Sequence, residues 1–362
     1  MIPISKPIIG DGEKRAVLEV LDSGMLAQGP KTKEFEDKFA DYCVAKFGIG
    51  VNSGTAAIHT ALYAAGVKKG DEVITSPFTF VASVSPIIML GARPIFVDIK
   101  EDTYNIDPKM VDEKITEKTK AIVAVDLYGQ IYDAKMIRNI AEKYNLKIIE
   151  DACQAVGAEL DGKRAGTFGD LGCFSFYATK NIVTGEGGMV ITDNEEFSEL
   201  CKRFRHHGQS EKTRYEYYDL GYNYRMMDIQ AAIGLEQLKK IDDFTNKRIG
   251  NAKRLSEGLS KIDQIKVPFV KQGVKHVFHQ YTIRAEKRDN LMNYLKENGV
   301  GCGIYYPKPL HMHPCFVKFG YKEGDFPVAE KASKEVLSLP VHPSLTEEDI
   351  NRIIKTVGEF YA

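Results

Sequence analysis

The chain has 362 residues, 43% of them hydrophobic and 27% charged, which is the composition of a globular protein with more than one comfortable core. Lysine plus arginine (49) nearly cancel aspartate plus glutamate (50), so no overall field draws the chain to nucleic acid or an anionic membrane, and any anion must be caught locally. Six cysteines (Cys43, Cys153, Cys173, Cys201, Cys302, Cys315) lie far apart with no CxxC pair; with no signal-peptide pattern and no apolar run of bilayer length, a secreted scaffold, a zinc domain and a membrane protein are disfavoured and a cytoplasmic location is expected.

Apolar residues at helical spacing (Ala16, Val17, Leu18, Val20, Leu21) predict a helix over 11–22 that stops at Ser23-Gly24. Phe35, Phe39 and Tyr42 share one stripe of a second helix over 31–46. VNSGTAAIHTALYAAG starts at a Ser/Gly/Thr turn and runs as an alanine-rich helix to Gly66. Short apolar runs follow at 72–75, 94–99, 121–129 and 147–152, separated by helical patterns such as 80–91 and 133–144. Apolar strands alternating with helices predict an α/β fold with a mostly parallel sheet flanked by helices. From about 227 a long charged helical stretch, bent near Asp242-Asp243, leads to strand (276–285), helix (288–299), strand (300–307) and two helices (328–338, 346–359), read as a smaller C-terminal α+β domain. The expected division is 1–240 and 241–362, with the first ten or so residues packing on the smaller domain.

Three segments carry chemistry. In KIIEDACQAVGA, Asp151 falls at the carboxyl end of a buried strand, where open α/β sheets place ligand groups, although strand-end carboxylates also cap helices. Gln154 follows on the same side, and Glu150 points to the opposite face because strand side chains alternate. In GDLGCFSFYATKNIVTGEGGMV, Lys180 stands between apolar strands beside a glycine-rich turn; desolvation there would lower its pKa, as an imine-forming amine needs, whereas most lysines are merely solvated. Ser175 is near enough in sequence to bond an anion. Asn52-Ser53-Gly54-Thr55 opens a helix whose free N–H groups suit a phosphate, if Ser53 and Thr55 are more than simple caps. The segment has neither the spaced glycines of a dinucleotide site nor the GK[ST] of a P-loop. One ligand needs a phosphate cradle, a carboxylate for a ring nitrogen and a Schiff-base lysine: pyridoxal 5'-phosphate, with pyridoxamine phosphate as its aminated form.

With these residues in place, the chain resembles the DegT-type nucleotide-sugar aminotransferases of fold-type I, over nearly its whole length: SGMLAQGP, NSGTAAI, DEVITSPFTFVAS, GARPIFVDI, IIEDACQAVGA, FSFYATKNIVTGEGGMVITD, RHHG, GYNYRMMDIQAAIGLEQL and SLPVHPSLT. The resemblance implies an aspartate-aminotransferase-like large domain, with Lys180 as Schiff-base lysine and proton shuttle and Asp151 as partner of the pyridinium nitrogen. It further implies Gln154 on the ring hydroxyl, Phe80 stacked on the ring (a core aromatic being the plain alternative), and Ser53, Gly54, Thr55 and Ser175 on the phosphate. Asn223 would reach the phosphate of the neighbouring subunit in a homodimer with shared active sites, and Arg225 would line the sugar-nucleotide site; read bare, GYNYRM is only a polar turn. Met25, Leu26, Tyr305, Tyr306 and His311 would contact substrate, the last three against a plain reading as an aromatic strand edge with a satisfied histidine.

The implied reaction has two halves: L-glutamate gives its amine to the cofactor, and a keto sugar of a nucleotide sugar takes it. The family branch that dehydrates sugars carries histidine where Lys180 stands, so transamination is favoured over a lyase, and the complete set Asp151, Gln154, Lys180, Asn223 speaks against a cofactor-binding regulator. The segment 300–316 resembles the branch acting at the sugar C3 carbon, which favours the C3 ketone of a UDP-linked acetamido hexose or hexuronic acid for amino-sugar or surface-glycan synthesis. A C4 ketone and a cyclitol ketone are the alternatives.

Overall fold

The computed structural model describes residues 1–210, 213 and 215–362. Seven strands form one sheet: β1 (Phe47–Val51), β2 (Glu72–Thr75), β3 (Arg93–Phe96), β4 (Thr119–Val125), β5 (Lys147–Asp151), β6 (Leu171–Ser175) and β7 (Gly188–Thr192). Their order is β1-β7-β6-β5-β4-β2-β3. Pairing is parallel from β3 through β6, while β7 runs antiparallel to both β6 and β1, so six strands point one way and their carboxyl ends share an edge. Such a sheet buries both faces: every residue of β6 and β7, and all of β5 but Lys147, is buried.

Helices α1 (Asp11–Ser23), α2 (Pro30–Cys43) and α3 (Gly54–Ala64) match the sequence periodicity closely. The α2 stripe packs where it should, with Phe39 on Phe174 at 4.9 Å and Phe35 on Phe176 at 5.2 Å between ring centroids. Helix α3 lies on the other face, Ala57, Ile58, Ala61 and Leu62 packing with β1, β2 and β4 residues.

Several expected elements differ. The helix over 80–91 is a 3₁₀ turn at Val81–Ser83 and a short helix at Ser85–Met89, since Pro86 fits a first turn but cannot continue one. The charged stretch breaks at Lys239-Lys240, ahead of Asp242-Asp243, between helices Asp228–Leu238 and Ile241–Leu259. The segment 300–307 forms no strand, only the single bridges Ile2↔Val300 and Gly303↔Ser338. The third strand of the C-terminal sheet is Val336–Leu339, which had been read into a helix: the helix ends at Glu335 and the β-branched and leucine run VLSL pairs with Tyr281–Ala285.

The C-terminal segment has its own core, where Leu255, Leu259, Ile283, Leu295, Leu337 and Ile353 meet, and Ile2 joins it. Leu310, Phe316, Phe326 and Ala329 belong instead to the core around α3 and β2. No helix among the described residues is long and apolar enough to cross a membrane, and none of their His, Cys, Asp and Glu side chains group to hold a metal.

Candidate active site

The shared carboxyl edge gathers the chemistry-bearing residues. Asp151 ends β5, and its carboxylate faces away from that of Glu150, as strand alternation requires. Glu150 accepts from the N–H groups of Gly166 (2.6 Å), Phe168 (2.7 Å) and Gly169 (3.0 Å), which pins the turn before β6. Beside it Asp126 is wholly buried, and burial and the neighbouring Glu150 charge push its pKa well up. Burial raises the Glu150 carboxyl too, but three backbone N–H donors oppose that shift, so Asp126 is the partner that holds a proton more readily. Asp151 Oδ2 instead accepts from Ser83 Oγ at 2.6 Å, and Oδ1 from the Cys153 N–H at 3.2 Å.

Lys180 sits in the connection between β6 and β7, which Phe176 N–H to Gly187 O (2.9 Å) and Thr184 N–H to Phe176 O (2.8 Å) close into a tight loop. Desolvation draws the Lys180 amine below the usual lysine pKa, while the nearby Cys153 and Asp151 oppose the shift. An amine so placed is a better nucleophile and proton acceptor than a solvated lysine.

At the start of α3, Ser53 is the cap, its Oγ accepting from the Ala56 N–H at 3.1 Å. Gly54 opens the helix so close to β6 that a β-carbon there would stand 2.7 Å from Ser175 Cβ and 3.1 Å from Ser175 Oγ. Ser53, Gly54, Thr55 and Ser175 therefore converge on free N–H groups at a helix N-terminus, the arrangement that holds a phosphate. Phe80, 59% exposed, is not a core aromatic and offers its ring at the start of the turn bearing Ser83.

Gln154 is fixed from two sides. Its Oε1 accepts from the Tyr128 N–H (2.9 Å), and its Nε2 donates to the Tyr306 hydroxyl (3.0 Å), leaving one amide hydrogen for a ligand. Tyr128 (φ 59°) and Tyr306 (φ 62°) both adopt the left-handed conformation that bulky residues avoid, and their rings stack 6.2 Å apart. Tyr305 is half-buried beside Gln280, and burial raises its phenol.

His311 departs from expectation. It is fully buried, its Nε2 lies 3.0 Å from Glu330 Oε1 and its ring packs edge-on against Phe326, so it sits in the core, closed off from a substrate, with Nδ1 left unpartnered. Met25 and Leu26 are exposed in the loop after α1. Their successors Ala27 and Gln28 line a cavity of about 780 Å³ with Arg225, His206, His207 and Tyr217. Arg225 Nη1 donates to His206 Nδ1 at 2.6 Å. The strand-like segment 223–225 runs along the end of β1, Asn52 N–H bonding Tyr224 O (2.8 Å), and leaves the Asn223 side chain exposed. Sequence reasoning passed over Thr79, Ser83, Tyr128 and Asp126, which the fold sets beside these groups: Ser83 on Asp151, Thr79 on Ser83, the Tyr128 N–H on Gln154, and Asp126 beside Glu150.

The model of the DegT/DnrJ/EryC1/StrS aminotransferase family matches residues 7–358, and the chain belongs to that family. A "Pleiotropic regulatory protein" of Geobacillus stearothermophilus is 46% identical, covering 96% of this chain and 94% of the relative. The UDP-2-acetamido-2-deoxy-3-oxo-D-glucuronate aminotransferase of Pseudomonas aeruginosa is 37% identical, covering 95% of each. Among solved structures, the PLP form of a sugar-aminotransferase candidate from Streptococcus pneumoniae superposes with a TM-score of 0.95 at 30% identity, covering 100% of this chain and 99% of the other. The chain is thus a transaminase of the sugar-aminotransferase type with a fold-type I large sheet.

Proposed function

We propose that the protein is a pyridoxal-phosphate-dependent aminotransferase that moves the amine of L-glutamate onto the C3 ketone of a UDP-linked acetamido hexose or hexuronic acid. The observation that carries the reading is the convergence at one sheet edge of a desolvated Lys180, the Asp151 carboxylate and the Gly54–Ser175 cradle. The residues fit the cofactor: a phosphate at the α3 N-terminus, where a side chain at 54 would intrude; a ring nitrogen at Asp151; a ring hydroxyl at Gln154; and Phe80 free to cover a ring face. When bound, the cofactor supplies an electron sink for the carbon that loses its proton.

The chain's own groups supply the rest. The Asp151 carboxylate would accept from the protonated ring nitrogen. Lys180 Nζ takes the proton from the donor's Cα and returns it on the other side of the transfer, which a lowered pKa assists. Tyr305 and Tyr306 bring the C-terminal segment over the site, with Tyr306 already bonded to Gln154. A C3 ketone with an acetamido neighbour is favoured by the name of the Pseudomonas aeruginosa relative. Asn223 and Arg225 would complete a neighbouring site in a homodimer.

The test is product analysis: purified protein, glutamate and a panel of UDP-, dTDP- and GDP-linked 3-keto and 4-keto sugars, read by mass spectrometry. A UDP-3-keto sugar should gain an amine with release of 2-oxoglutarate. Amination confined to 4-keto sugars would move the position, and no amination of any keto sugar would overturn the proposal.

A further inference from the structure

Asp151 is not held by its own strand alone. Ser83 Oγ donates to Asp151 Oδ2 at 2.6 Å. Ser83 Oγ also lies 2.9 Å from Thr79 Oγ1. Asp151, Ser83 and Thr79 are all buried, so water does not compete for these bonds. A hydroxyl has one proton, and that of Ser83 goes to the Asp151 oxygen. Ser83 therefore donates to Asp151, and Thr79 donates to Ser83. The chain runs in one direction, Thr79 to Ser83 to Asp151, each bond polarising the next.

The turn Val81–Ser83 sets this donor. It is closed by Ser83 N–H to Phe80 O at 3.1 Å, so the backbone that presents Phe80 also presents Ser83. With Oδ2 tied, the carboxylate cannot rotate freely and its remaining lone pairs keep one direction.

We propose that Ser83, backed by Thr79, is a positioning residue that orients Asp151 toward the ring nitrogen. This rests on the reading of Asp151 as the ring-nitrogen partner. Neither hydroxyl touches reacting atoms; both act through Asp151.

The test is a double-mutant cycle on the full-length protein. Ser83→Ala, Asp151→Asn and the pair are compared with wild type for the Kd of pyridoxal phosphate, measured by titrating apo protein, and for kcat and KM of the glutamate half-reaction. Ser83→Ala should raise the cofactor Kd roughly five- to twentyfold and lower kcat with little change in glutamate KM. In the Asp151→Asn background the same change should shift Kd less than about twofold, because the partner it acts through is gone. Ser83→Thr should restore wild-type values, and Thr79→Val should move Kd in the same direction by less. Equal loss in both backgrounds, or wild-type values in Ser83→Ala, would overturn the proposal. Should Ser83→Ala not fold, an unchanged Kd in folded Thr79→Val would overturn it as well. Failure of the parent reading looks different: wild type and Asp151→Asn would bind the cofactor equally, or wild type would not bind it.

Discussion

Gly54 and Ser175 come so close across the carboxyl edge of the sheet that a β-carbon at 54 would stand 2.7 Å from the Ser175 Cβ. Ser175 is on a central strand and cannot step aside. Gly54→Ala is expected to shift the start of α3, costing about 1–3 kcal/mol of stability, and to weaken phosphate binding more than overall folding. Thermal melts with and without pyridoxal phosphate check this: the stabilisation by cofactor should shrink, and a variant stabilised as much as wild type would contradict it.

Tyr306→Phe removes the acceptor for Gln154 Nε2 while keeping the ring stacked near Tyr128. A buried amide donor left without a partner costs about 1–3 kcal/mol, and Gln154 becomes free to turn. Denaturant melts should show that loss, accompanied by a several-fold fall in turnover. Unchanged stability and turnover would mean that Gln154 is fixed by Tyr128 alone.

Glu36 and Arg205, both almost fully buried, pair with each other and with the Gly50 backbone: Arg205 donates to Gly50 O at 2.8 Å and Glu36 accepts from Gly50 N–H at 2.8 Å. Removing one partner strands a buried charge, so Glu36→Gln is expected to cost about 3–5 kcal/mol. Glu36→Gln with Arg205→Met should cost less than the sum of the singles, a coupling that urea melts of the four proteins would reveal.

His59 is buried in the core, its Nδ1 3.1 Å from the Tyr224 hydroxyl, and burial lowers its pKa to about 4 from the ordinary 6.5. The folded state resists a proton that the unfolded state accepts. Stability is therefore full above about pH 6.5 and is lost as pH falls toward 4, on the order of 2 kcal/mol from this residue. In melts from pH 7.5 to 4.5, His59→Phe should flatten that decline; an identical slope would show that His59 is not responsible for it.

Much of this was legible in the sequence, and the physical reasons for the rest are specific. Strands buried on both faces read as short apolar runs, so β2 to β7 stood out, and Lys180, Asp151, Gly54 and Ser175 could be grouped because one cofactor chemistry calls for all of them. Strand β1, FGIGV, was hidden by two glycines, and Val336–Leu339 by the helix that runs directly into it. Ser83 and Thr79 could not be singled out, since a serine in a turn has no distinguishing pattern until the fold sets it on Asp151. His311 was misplaced for the opposite reason: its neighbourhood in sequence is the tyrosine pair, but its neighbourhood in space is Glu330 and Phe326.

The most direct test of the central claim is the visible absorbance spectrum of the purified protein with pyridoxal phosphate, before and after L-glutamate, beside Lys180→Ala. The account predicts a visible band from cofactor joined to Lys180, lost on adding glutamate, restored by a keto nucleotide sugar, and absent from the folded Lys180→Ala protein. A wild-type protein that gives no band with added cofactor, or a band that Lys180→Ala retains unchanged, would contradict it.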